Sequence, residues 1–211
     1  MTIDIDDIVG AGGELEPNIL IEAYRRGVFP WPMDGLSVIP WFCPRERAIL
    51  DFKLLHVPRS LRRVLRQTDL VCSEDTQFDR VIELCGEVPR PGQDGTWITE
   101  ELLDAYKELH RMGYAHSVEV SDASGNMVGG IYGVCVEGVF SAESMFHLVP
   151  NASKIALFHL ISVLEKAGLE WMDIQVMTPH MKALGAINIP RRRFLDKLAK
   201  AQARQLRPFA K

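Results

Sequence analysis

Met127-Val-Gly-Gly-Ile-Tyr-Gly-Val-Cys-Val-Glu-Gly-Val-Phe-Ser-Ala-Glu-Ser-Met-Phe146 is the stretch that decides how this chain folds. It is apolar and rich in β-branched and aromatic residues, the composition of strands. Glu137-Gly138 supplies a tight turn, so 127–136 and 139–146 read as a hairpin. Gly129, Gly130 and Gly133 interrupt the first strand and mark a bulge or a close backbone approach. One residue is out of keeping. Glu143 puts a carboxylate inside an apolar strand, which is costly unless something binds it or needs it. Trp171-Met-Asp-Ile-Gln175 repeats the anomaly further along. Strand alternation puts Trp171, Asp173 and Gln175 on one face and Met172, Ile174 and Val176 on the other. An acid and an amide side by side under an indole have the look of a site, although they also fit the solvent face of an amphipathic strand.

The elements around the hairpin follow from period and punctuation. Upstream, Thr99 caps a helix whose Glu100 and Glu101 suit the dipole and whose inner face is Leu102, Leu103, Tyr106 and Leu109. Gly113 ends it, and 115–120 is a strand. Downstream, Asn151 or Ser153 opens a helix burying Leu157, Leu160, Ile161 and Leu164, closed by Gly168, and 171–177 is the next strand. A basic helix begins near Pro190 with Arg191, Arg192 and Arg193. Helix, meander, helix, strand is an α+β order, with the central helix crossing between strands. Toward the N-terminus, residues 1–16 read as loose and 17–26 as a helix with Pro17 at its first position. Residues 30–41 read as a rigid aromatic–proline loop. Residues 48–55 form a strand, and 76–85 a helix burying Phe78, Val81, Ile82 and Cys85. Two domains are expected, a small one over 1–65 and a larger one over 66–211, with the boundary falling within 60–90.

Bulk properties narrow the function classes. The 24 basic and 28 acidic residues give a net charge of -4, which argues against a protein coated with nucleic acid but allows a local basic face. Met1 is followed by Asp4, Asp6 and Asp7, unlike a secretory leader, and no apolar run reaches membrane-spanning length. The expectation is a soluble, cytoplasmic chain, with monomer as the default. Cys43, Cys72, Cys85 and Cys135 are scattered with no CxxC pair, so reduced thiols are expected and no metal site.

The residues then meet a family. Tyr24-Arg-Arg-Gly-Val-Phe-Pro-Trp31, Trp41-Phe-Cys-Pro44 with Arg47, Gly95-Thr-Trp-Ile-Thr99, Ala115-His-Ser-Val-Glu119, Gly129-Gly-Ile-Tyr-Gly133, Glu143-Ser-Met-Phe146, Asn151-Ala-Ser-Lys154, Asp173-Ile-Gln175 and Leu184-Gly-Ala186 occur in this order. Together, over about residues 14–195, they resemble the leucyl/phenylalanyl-tRNA–protein transferases of bacteria. That resemblance implies transfer of Leu or Phe, and Met less well, from a charged tRNA to a protein with N-terminal Arg or Lys, marking it for degradation. It also implies an acetyltransferase-like (GNAT-like) C-terminal domain, with a mixed central sheet flanked by helices, behind a small N-terminal domain. The chain departs from the pattern in three places. Its N-terminus is shorter than expected, Phe42-Cys43 stands where Trp-Ser is usual, and Ala142 replaces a Gly, adding a methyl at the pocket wall.

The implied reaction is aminolysis of an ester that is already activated, so no cofactor is expected, and no GxxxxGK[ST] loop is present to bind ATP. The acceptor's α-amine, with a pKa of about 7.7–8.0, is itself the nucleophile. The enzyme needs mainly to juxtapose the reactants, accept a proton and stabilise an oxyanion. By resemblance Asp173 and Gln175 are catalytic, Asp173 orienting the amine or polarising Gln175 and Gln175 holding the amine through its amide oxygen. Glu143 is either a pocket residue or a structural acid paired with an Arg such as Arg47. Ile131, Phe140, Met145, Leu157, Leu160 and Leu164 are expected to line the side-chain pocket with it, though each also fits plain core. Tyr24, Trp31 and Trp97 are candidates for stacking the terminal adenosine of the tRNA. Arg59, Arg62, Arg63 and Arg66 form a candidate phosphate-tracking face. The Arg191–Arg193 run is a weaker one. Of the histidines, only His180 is retained as a site candidate. Two alternatives remain open: an acyl-CoA-dependent N-acetyltransferase, disfavoured by the lack of a glycine-rich loop in 146–154, and a non-catalytic tRNA-binding module.

Overall fold

The computed structural model describes residues 5–33, 35–89 and 97–209. Asp4, together with Gly95 and Thr96 of the Gly95–Thr99 motif, lies outside them. The N-terminal part is a three-stranded antiparallel sheet. Its strands are β1 (Ile8–Ala11), β2 (Phe29–Pro30) and β3 (Pro40–Phe42), with α1 (Pro17–Arg25) between the first two. Two expectations need correcting here. Residues 8–11 are a strand rather than loose chain, tied down in part by the Trp41 indole, which donates to the Gly12 carbonyl at 2.8 Å. The aromatic–proline stretch supplies two short strands at its ends. Pro30 closes one and Pro40 opens the other, the strand positions where a missing N–H is tolerated.

The rest forms a seven-stranded sheet with helices on both faces. In chain order its elements are β4 (Glu46–Asp51), α2 (Arg59–Gln67), β5 (Val71–Glu74), α3 (Phe78–Glu87), α4 (Glu100–Arg111), β6 (Ala115–Ser121), β7 (Met127–Val136), β8 (Val139–His147), α5 (Ala152–Lys166), β9 (Trp171–Gln175), α6 (Pro179–Ala183), β10 (Ile187–Pro190) and α7 (Arg191–Gln202). The strand order is β10-β4-β9-β8-β7-β6-β5. Thus β4 joins the larger sheet although it lies within the stretch 1–65. The hairpin is as expected, with Glu137 and Gly138 both at positive φ (50° and 77°), as a two-residue turn of this type requires. The helix cap at Thr99 also forms, its side chain accepting from the Leu102 N–H at 3.3 Å. β5, α6 and β10 have four or five residues each, too few to show a period.

Two features of this sheet create a site. The first is the crossover through α5, which makes β8 and β9 the parallel pair. They share one register pair, Ser141 opposite Asp173, and then part. The second is a bulge in β8. Tyr132 faces Ser144 and Gly133 faces Ala142, so Glu143 is the extra residue. The sequence marks the bulge through Gly133. A Cβ there would lie 2.3 Å from the Ser141 carbonyl oxygen, so only glycine lets β8 bend this closely.

Candidate active site

The bulge carries Glu143 into the gap between the parting strands. Its Oε1 accepts from the Gln175 Nε2 at 2.7 Å and from the Tyr24 hydroxyl at 2.8 Å. The Tyr24 hydroxyl is also hydrogen-bonded to that of Tyr106, and both phenols are buried. Burial pushes the Glu143 carboxyl up to about 8, overriding the Tyr24 hydrogen bond that favours its ionised form, while the negative charge of Asp173 raises it further. Burial likewise raises both phenols well above their ordinary range, so they serve as neutral donors.

Gln175 ends β9 at φ +60°, a left-handed conformation that costs a non-glycine residue about 1 kcal/mol or more. Asp173 holds it there. Its Oδ1 accepts from the Gln175 backbone N–H at 2.9 Å. The same carboxylate receives a bidentate Arg47 guanidinium (2.8 and 2.6 Å) and the Ser141 hydroxyl (3.2 Å). Arg47 lies between the rings of Phe29 and Phe194, at 4.6 and 4.5 Å from their centroids. Both Asp173 and Arg47 are 1% exposed. Four hydrogen bonds saturate this carboxylate, so it has no oxygen left to orient an amine directly. Its reach toward chemistry is through Gln175. The structural reading of Glu143 also needs correction: Arg47 pairs with Asp173, and Glu143 is held by Tyr24 and Gln175.

On the other face of the same strands lies a cleft of about 240 Å³, lined by Ile131, Ala142, Glu143, Met145, Leu157, Met172, Ile174, Val176, Thr178 and Met181, with Ser144 at its edge. Of the expected pocket residues, Ile131, Glu143, Met145 and Leu157 line it. Phe140, Leu160 and Leu164 do not, because they sit on the near side of the bulge or one and two turns further down α5, sealed in the core. The sequence gives no sign of the floor contributed by Met172, Ile174 and Val176. Their alternation is plain, but it marks the face away from Asp173. Among the described residues, Glu143 alone belongs to both the cleft and the polar network.

Trp31 and Trp97 stack, with ring centroids 5.6 Å apart and planes at 24°. Trp31 also borders a cavity of about 330 Å³ that shares Val176 with the cleft. Tyr24 is not available as a stacking platform, since it is 5% exposed and its hydroxyl is committed to Glu143 and Tyr106. Arg59, Arg62, Arg63 and Arg66 are all exposed along α2. Arg62 donates to the Val57 carbonyl and Arg63 to Gln67, and among the described residues none of the four meets a carboxylate. In the other run, Arg191 donates to the Pro44 carbonyl and pairs with Asp7 at 3.7 Å. His116 is tied to Asp75 and His159 to Glu74, while His180 lies one residue before Met181 of the cleft wall. Among the described residues no group of His, Cys, Asp and Glu could hold a metal ion, and no helix is long and apolar enough to cross a membrane.

Known proteins are similar to this chain in sequence. The profile described as Leucyl/phenylalanyl-tRNA protein transferase matches residues 49–199, and that for its N-terminal domain matches residues 13–45. A leucyl/phenylalanyl-tRNA–protein transferase of Anaeromyxobacter sp. (strain K) is 48% identical over 196 residues, covering 93% of this chain and 83% of the relative. One from Myxococcus xanthus (strain DK1622) is 46% identical over 198 residues, covering 94% and 84%. Among solved structures, L-PGS from Bacillus licheniformis aligns over 78% of this chain and 52% of its own at 15% identity and a TM-score of 0.43, too low to assign a fold.

Proposed function

The chain belongs to the leucyl/phenylalanyl-tRNA protein transferase family, and from that premise we propose how this molecule works. It transfers Leu or Phe, and Met less well, from aminoacyl-tRNA to the α-amine of proteins beginning with Arg or Lys, marking them for degradation in the cytoplasm. It acts as a monomer and without a cofactor. Its larger sheet, with parallel strands that part after one register pair, fits an acetyltransferase-like (GNAT-like) unit behind a small N-terminal domain, with the division best drawn just before β4.

The cleft between β8 and β9 takes the aminoacyl side chain. Leu (unbranched at Cβ), planar Phe and flexible Met fit a slot entered edge-on, whereas Ile and Val would collide near their branched Cβ. The ester then lies at the mouth of the cleft beside Glu143 and Gln175. Gln175 donates its amide nitrogen to Glu143, which fixes the amide and leaves its oxygen to hold the incoming amine. Glu143 takes the proton. The amine attacks as the free base and sheds this proton as the new C–N bond forms; a carboxyl at about 8 is a far stronger acceptor for it than an ordinary carboxylate, and returns it to the departing ribose oxygen of the tRNA. The bulge takes Glu143 out of the β7–β8 register, and its backbone N–H is the donor for the developing oxyanion. Asp173 and Arg47 are positioning residues that set Gln175.

Trp31 and Trp97 stack the terminal adenine, and the α2 arginines follow the RNA backbone. The observation that carries this reading is the 2.7 Å bond between Glu143 and Gln175 at the mouth of an apolar slot. Incubation with radiolabelled Leu-tRNA and a peptide bearing N-terminal Arg tests it. Label in the peptide is expected. Acetyl transfer from acetyl-CoA with no leucine transfer would overturn it.

A further inference from the structure

A second polar cluster lies beside the cleft and takes no part in the network above. Lys154 in the first turn of α5, His147 at the end of β8 and His180 in α6 come from three elements, and the charges of Lys154 and His147 reach His180. His147 accepts or donates at 3.4 Å to the hydroxyl of Ser153, the neighbour of Lys154, and the Lys154 ammonium reaches Asn151 Oδ1 at 3.4 Å. Among the described residues no carboxylate pairs with any of the three. The His180 Nε2 is buried with no hydrogen-bond partner. Burial lowers the His180 pKa, and the charges of Lys154 and His147 lower it further, so the three basic groups feel one another. Basic groups gathered without an acid are the electrostatic signature of an anion site, and here the neutral contacts of Asn151 and Ser153 do nothing to balance them.

The cluster's place in the fold says which anion. On one side, Thr178 and Met181 of the same short segment line the cleft, and Val176 joins the cleft to the cavity beside Trp31. On the other side, the far end of α6 touches the approach to α2. The His56 N–H donates to the Leu184 carbonyl at 2.9 Å, and a Cβ on Gly185 would strike the Leu54 carbonyl oxygen. The five residues of α6 span about 7.5 Å. His180 therefore stands on the segment that joins the approach to α2 to the slot, with Lys154 and His147 near enough for their charges to act on it. Resting on the reading of the donor given above, we infer that this cluster binds a phosphodiester of the donor RNA's single-stranded 3′ end, continuing the arginine track to the mouth of the cleft.

The test compares donors that differ only in phosphate. Full-length wild type, Lys154→Gln and His147→Gln are each assayed with Leu-tRNA, with leucyl-CpA and with 3′-leucyl-adenosine, which carries no phosphodiester. The ratio of kcat/KM for leucyl-CpA to that for leucyl-adenosine is expected to fall about fivefold to tenfold in Lys154→Gln. The salt slope for Leu-tRNA should become shallower by roughly 0.7–1, the change that follows when one phosphate is no longer neutralised. His147 is exposed, so its variant probes the same phosphate without touching the core. Equal losses with both small donors, an unchanged ratio, or a raised KM for the acceptor peptide instead would each overturn the assignment. If wild type transferred leucine from none of the donors, the failure would lie in the proposed function itself.

Discussion

Replacing Glu143 by Gln tests the proton acceptor through two independent readouts. The amide can still accept from Tyr24 and Gln175, so the shape of the network survives while its titration is removed. In the wild type the folded carboxyl sits at about 8 against an ordinary 4.5. A raised acid is protonated in the folded state while the unfolded one has already ionised. Its stabilising share is therefore whole below about 4.5, and is lost as pH rises toward 8, at about 1.4 kcal/mol per pH unit. Urea unfolding at pH 5.5 and 7.5 should show the variant gaining on the wild type by about 3 kcal/mol between the two. The kinetic readout is sharper. Both the amine and Glu143 must lose a proton to become reactive, so log(kcat/KM) for the acceptor should rise with a slope near 2 between about pH 6 and 7. In Glu143→Gln only the amine titrates, so the slope should drop to about 1 and the rate by roughly 10²–10⁴-fold. Single-turnover transfer corrected for ester hydrolysis gives both numbers. A variant that keeps the wild-type slope would refute Glu143 as the base, and one with no stability crossover would refute the burial argument beneath it.

Three further sites address the supporting parts. Arg47→Met leaves a saturated, 1% exposed carboxylate without its cation and should cost about 3–5 kcal/mol in urea unfolding. Arg47→Lys should recover part of that stability but little of kcat, because one ammonium cannot reproduce the bidentate grip that sets Gln175. Ala142→Gly removes a methyl from the cleft wall and should shift competition between Phe-tRNA and Leu-tRNA toward Phe by severalfold, about 1 kcal/mol. Arg63→Glu on exposed α2 should raise the KM for Leu-tRNA and flatten its salt dependence, with the KM for the acceptor peptide unchanged.

The parts of this fold legible in the sequence are those with a repeating signal. The hairpin at 127–146 and the helices over α4 and α5 follow from period, turn and cap. What the sequence hides is set by pairings between distant residues. The pairing of β4 with β9, which brings Arg47 to Asp173, joins residues 126 apart and leaves no local trace. The β8 bulge is half visible, since Gly133 points to an irregularity but not to Glu143 as the residue it displaces. The alternation in β9 correctly separates two faces, but it does not say that the apolar one lines a cleft. Asp173 is bonded to Arg47, Ser141 and the Gln175 N–H, while Met172, Ile174 and Val176 line the cleft. Tyr24 is as easily misread, because an aromatic near a tryptophan reads as a stacking surface until its hydroxyl is seen bonded to Glu143.

The most direct measurement is a crystal structure of the protein with a non-hydrolysable amide analogue of leucyl-adenosine. The leucyl side chain should lie between β8 and β9 against Ala142, Met172 and Ile174, with its carbonyl within hydrogen-bonding reach of the Glu143 backbone N–H and the adenine on the Trp31–Trp97 pair. A leucyl group seated outside that slot, or a carbonyl out of reach of both Glu143 and Gln175, would contradict the account.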